Sequence, residues 1–164
     1  MSLALLCILA PLAGCNCSCD TELVAAERSR LLLDAEPPDA QGVLDLRESL
    51  ADEERRVVVV GRIGGGQPVF DPDHALFLIV DPSVPQGHHH PDGCDENCPF
   101  CAKGAEEQTV AYVHCVDASG QSVPTRADRL LGLAVGQTVV ISGWARCDAA
   151  GNLVIRANGV YIRG

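Results

Sequence analysis

Apolar and polar residues alternate, or apolar ones run together, in five short stretches, and each reads as a β-strand. Residues 56–63, RVVVVGRI, are rich in β-branched side chains, with Gly61 inside the run where a bulge or barrel bend is expected. Residues 75–80, ALFLIV, form a wholly apolar second strand that Asp81-Pro82 stops. Residues 108–116 (QTVAYVHCV), 137–147 (QTVVISGWARC) and 153–162 (LVIRANGVYI) supply the third, fourth and fifth. Helical spacing is weaker. Asp20 or Thr21 is the expected cap of a helix reaching about Leu33, although its apolar face is not clean. Leu44, Leu46 and Leu50 suggest a helical turn before the first strand, and residues 125–133 a short helix between the third and fourth. Asp34 to Gly42, with Pro37-Pro38, has linker composition.

Three strands, a short helix and two strands is the element order of the OB-fold, a five-stranded Greek-key barrel. Val60-Gly61-Arg62 in the first strand, Phe77 to Asp81 in the second, and the run from Leu131 to Gly143 leading into the fourth resemble single-domain members of that fold. The resemblance covers about Arg55 to Gly164 and implies an all-β barrel, with a small β-sandwich as the alternative. The connection between the second and third strands then runs from Asp81 to Glu107, far beyond the two to five residues of an ordinary hairpin. Loops of that length in a compact domain are functional or unstructured.

The content of this insert argues for function. His88, His89, His90, Cys94, Cys98 and Cys101 fall within fourteen residues, broken by Pro91, Gly93 and Pro99. Thiolate and imidazole are the ligands preferred by zinc and copper(I), and a segment with so little to bury needs a crosslink to be ordered. The expected set is Cys94, Cys98 and Cys101 with one histidine, His88 or His90 first, and His89, His114 or Cys115 as alternatives. Zinc is the expected metal and copper the alternative. Four protein ligands would make a closed structural site, and three would leave an open position. Asp92, Asp95 and Glu96 add local negative charge.

Three rival readings of the insert compete with this one. Cys-x3-Cys-x2-Cys resembles the radical-SAM cluster motif, but only 63 residues follow Cys101, too few for that family's barrel. Cys98-Pro99-Phe100-Cys101 resembles the glutaredoxin tetrapeptide, yet the βαβ setting and a firm following helix are lacking, so a thiol oxidoreductase or metal carrier is the enzyme-class runner-up. Oligonucleotide binding is common among OB-folds and needs a basic groove with stacking aromatics. Phe77, Tyr112, Trp144 and Tyr161 are the strand aromatics, for which core packing is the expected role.

Charge bears on that last reading. The 164-residue chain has a formal net charge of −10, and its scattered basic residues, eleven of twelve being Arg, make a poor match to a polyphosphate. Its 16 glycines, 10 prolines and few aromatics favour strands and turns over a helical bundle. Nine cysteines is a high count. Cys17 and Cys19 could hold metal or form a disulfide, and a flexible tether is the preferred reading. Cys115 and Cys147 sit on strands, where a small buried thiol is the default, and a disulfide between them requires adjacent strands.

Residues 2–12 form an apolar run too short to span a bilayer and suited to a secretory signal. It ends in Leu12-Ala13-Gly14-Cys15, which resembles the lipobox of bacterial lipoproteins, although no Lys or Arg precedes the run. The resemblance implies cleavage before Cys15, lipidation of its thiol and amino group, and a membrane anchor facing the periplasm or exterior. The expected organisation is a signal peptide over 1–14, a tether and short helical segment over 15–54, and the barrel over 55–164 with its metal-binding insert at 81–107. The sequence favours a binding or structural module over an enzyme.

Overall fold

The computed structural model describes residues 17–50, 53–85 and 108–164. Five strands, β1 (Arg55–Ile63), β2 (Leu76–Val80), β3 (Val110–Cys115), β4 (Thr138–Cys147) and β5 (Leu153–Ile162), close into a barrel in the order β1-β2-β3-β5-β4. The β3–β5 pair is parallel and the others antiparallel. The result is a closed mixed barrel of OB-like, all-β character. Val57, Val59 and Ile63 of β1 point inward, as the strand's period of two requires, while Arg56 and Arg62 lie on the other face. Phe77, Ile79, Val113, Ile141 and Ile155 fill the interior.

β2 is apolar on both faces because both are covered. Phe70 bridges to Phe77, the Leu78 amide donates to the Val69 carbonyl at 3.0 Å, and the Leu78 side chain occupies the space above Gly66. The sheet bulge falls between Ser142 and Gly143 of β4, not at Gly61. A Cβ on Gly143 would lie 2.2 Å from the Arg156 carbonyl oxygen, so only glycine lets β5 approach there. Gly61 instead faces inward, where Ile79 takes up the volume of the missing side chain.

The amino-terminal segment seals the seams of this barrel. α1 (Cys17–Leu31) begins before the expected Asp20/Thr21 cap and takes in Cys17 and Cys19, which the sequence assigned to a tether. It lacks an apolar stripe because polar contacts fasten it. Arg28 donates to the Leu130 carbonyl at 2.9 Å, and Arg30 donates to Glu27 and to the Val116 carbonyl. Leu31 is fully buried, whereas Leu23 is exposed. The stretch read as a linker then runs along the barrel. Leu33 N–H donates to the Val160 carbonyl at 2.9 Å, and Gln41 exchanges backbone hydrogen bonds with Val58 and Val60. Strand edges that would otherwise be open to another chain are thereby occupied.

α2 (Val43–Ser49) buries Val43 and Leu46 in the same core. α3 (Ala127–Leu131), between β3 and β4, buries Ala127, Leu130 and Leu131 and ends at Gly132, whose φ of 77° forms a left-handed cap. Gly143→Ala is expected to lower stability by about 1–3 kcal/mol through the backbone clash at Arg156. A urea midpoint equal to that of the parent would contradict the close approach.

Candidate metal-binding insert and its roots

The expected ligands Cys94, Cys98, Cys101, His88, His89 and His90 lie outside the described residues, as do Cys15 and the lipobox-like residues before it. What is described is how the chain leaves the barrel for the insert and returns. Both roots are held by α2, and they lie side by side, since the Asp81 amide donates to the Thr109 carbonyl at 2.9 Å.

The outgoing root is fixed by Asp81. Gly42 is the N-cap residue of α2 and has no side chain to satisfy the helix's first amides. Asp81 does so from the end of β2, its Oδ2 accepting from the Leu44 amide at 3.0 Å. Its Oδ1 accepts from the Ser83 amide at 2.9 Å and the Ser83 hydroxyl at 2.6 Å. Asp81 is one of the two buried polar or charged residues of the described core, at 5 % exposure. Burial works to raise its pKa. The Ser83 hydroxyl and the Leu44, Ser83 and Val43 amides outweigh it and hold the carboxyl below its ordinary value. Gly42 makes this possible, because a Cβ there would stand 2.6 Å from Oδ2. One residue further on, Arg62 donates to the Val84 carbonyl.

The returning root is fixed by Arg47, one turn along α2. Its Nε donates to the Gln108 carbonyl at 3.0 Å and Nη2 to that of Val110 at 3.2 Å. Nη1 reaches the Gly151 carbonyl at 2.8 Å, in the turn between β4 and β5. One planar guanidinium thus joins the insert's exit, β3 and a neighbouring turn, as its fork of donors allows. Sequence reasoning missed Gly42, Arg47 and Asp81. Asp81 registered only as a strand stop, and nothing local linked it to a helix 37 residues upstream.

The strand-borne alternatives are placed differently from one another. Cys115 points into the core with no exposure, and burial pushes its thiol up to about 12. Such a thiol is reluctant to ionise for a metal. His114 is half-buried on the outer face, and burial lowers its pKa, with Asp71 acting weakly in the opposite sense. Cys147 is exposed at the end of β4, contrary to the expected buried thiol. No disulfide joins it to Cys115, because β5 lies between their strands. Among the described residues no three His, Cys, Asp or Glu side chains gather as a metal-binding group. None of the described helices is long and apolar enough to cross a membrane.

Phe77 is buried as expected, but Tyr112 and Trp144 are not core residues. They stand on the outer face at 37 % and 43 % exposure. No protein-family model matches the chain, and no curated protein matches it significantly.

Because the folded-state pKa of Asp81 is depressed, its contribution to stability is fully present above the unfolded carboxyl value of about 3.9 and is lost as pH falls through the folded one. Asp81→Ala is expected to cost about 1–2 kcal/mol at pH 7, the usual cost of losing a helix cap. It should also flatten the acid limb of the stability–pH curve. An acid limb unchanged from the parent would contradict the role given to this carboxylate.

Proposed function

We propose that this chain is a lipid-anchored cell-envelope protein whose OB-like barrel presents a zinc-binding insert as a binding or structural module. The spacing of Cys94, Cys98 and Cys101 beside three histidines is the observation that carries the reading. Three thiolates and one imidazole, from His88 or His90, suit a four-coordinate zinc. The fastened roots support it. A loop whose two ends are already held close needs only one further crosslink to become ordered, and the cost of closing it is reduced accordingly. Bound metal would supply folding energy to the insert itself, so metal content and insert order are coupled. Copper(I) would suit the same donors, and metal content decides between them. The buried, firmly protonated Cys115 adds little as a fourth ligand, which leaves the upstream histidines favoured.

Cys15, at the end of the signal-like run, is the proposed lipid attachment, placing the barrel at a membrane surface a short distance down the chain. Cysteine-to-serine changes at Cys94, Cys98 and Cys101 together should abolish zinc content and open residues 86–107 to protease, while the barrel's melting transition persists. Full metal content in that triple variant would contradict the site. Rapid zinc transfer to a chelator, or reduction of insulin by the wild-type protein, would identify a carrier or a thiol oxidoreductase instead. Cys15→Ser should move the protein from the membrane fraction to the soluble one or leave it uncleaved, and unchanged fractionation would contradict the anchor.

A further inference from the structure

We propose that the outer face shared by β1, β4, β5 and β3 is a docking surface for a short acidic segment of a partner protein. It does not depend on the metal reading, since every residue it uses lies on the barrel strands or beside them.

The strand registers build this face. Arg56 pairs with Trp144, Trp144 with Arg156, and Arg156 with His114, so one row crosses four neighbouring strands. The next row on the same face runs from Arg146 through Val154 to Tyr112. At a strand spacing of about 4.8 Å, the first row is about 14 Å wide, the length of four extended residues. Trp144 and Tyr112 are two of the four large apolar side chains exposed among the described residues, and the other two, Leu23 and Val135, lie off these strands. Beside the row opens a shallow groove of about 360 Å³ lined by Glu54, Arg146, Cys147 and Arg156.

The charge is the reverse of the molecule's. Three arginines, Arg56, Arg146 and Arg156, stand on this face of a chain whose net charge is −10. Glu54 pairs with Arg156 at 3.0 Å in an exposed contact that an incoming carboxylate can replace at little cost. Asp148 lies near Arg146, but its oxygens are engaged by the Asn152 side chain and by the Ala150 and Asn152 amides. Beside His114, Asp71 accepts from the Asp73 and His74 amides. Arginine forks take carboxylates in pairs of hydrogen bonds, and the tryptophan and tyrosine faces between them take apolar side chains or guanidinium stacking. A peptide alternating acidic and apolar residues matches that layout. A nucleic acid matches it less well, because its continuous phosphate charge extends beyond the island into the acidic surround.

Trp144 is the only tryptophan of the chain, so its fluorescence reports on this face directly. The full chain is titrated with a blocked hexapeptide of alternating glutamate and leucine. A saturable blue shift that weakens with added salt is expected. Arg146→Gln and Arg156→Gln should each weaken binding about fivefold, and Arg129→Gln, on α3 away from the face, should leave it unchanged. No saturable change up to about 1 mM peptide would overturn the proposal. So would equal binding of a blocked hexapeptide of alternating lysine and leucine, or insensitivity to both arginine changes. Tighter binding of a thymidine oligonucleotide or of phosphatidylglycerol vesicles, or self-association that buries Trp144, would assign the face to another occupant and likewise overturn it.

Discussion

A single buried carboxylate ties the three parts of this molecule together. Asp81 ends a barrel strand, caps a helix contributed by the amino-terminal segment, and begins the insert. An unpaired charge at such depth would be severely destabilising, and here amides and a hydroxyl surround it. The same helix carries Arg47, which grips the returning end. Helix, strand end and the two roots of the insert are therefore held to one another by charged groups bonded to backbone, contacts stronger than neutral hydrogen bonds. Connections held by a rigid frame are a common place for function in small β-proteins, and these two residues are where frame and connection meet.

The barrel itself is governed by packing. Val, Ile and Phe side chains on alternating positions fill the interior, and glycine appears where backbones or side chains crowd, as at Gly143 and Gly61. The amino-terminal segment completes the structure, since Leu31, Val43 and Leu46 belong to the same core as the strands. Leu33 and Gln41 occupy strand edges that five strands of unequal length leave uncovered. Among the described residues, the β1–β4–β5–β3 face leaves its arginines and two aromatics at the surface.

The strands were legible because β-branched residues with a period of two announce themselves locally, from the valines of β1 to the apolar run of β2. The order of strands and helix led to an OB-like barrel for the same reason. α1 was harder, because its attachment runs through Arg28 and Arg30 rather than an apolar stripe. Gly61 and Gly143 look alike in sequence, and only the register with the partner strand shows that the bulge falls beside Gly143. Exposure of Trp144 and Tyr112 was misjudged because alternation gives two faces without saying which is inside. The clamp at Asp81 depends on a contact across 37 residues and had no local signal. The cysteines and histidines of the insert lie outside the described residues, so the metal reading of their spacing rests on the sequence alone.

The strength of the zinc proposal lies in its combination of donor chemistry with fastened loop ends. X-ray absorption at the zinc edge, on protein purified from its native source, tests it most directly. Three sulfurs at about 2.3 Å and one nitrogen at about 2.0 Å around each metal ion is the expected result. An innermost shell of oxygen and nitrogen only, or protein that carries no zinc at all, would contradict it.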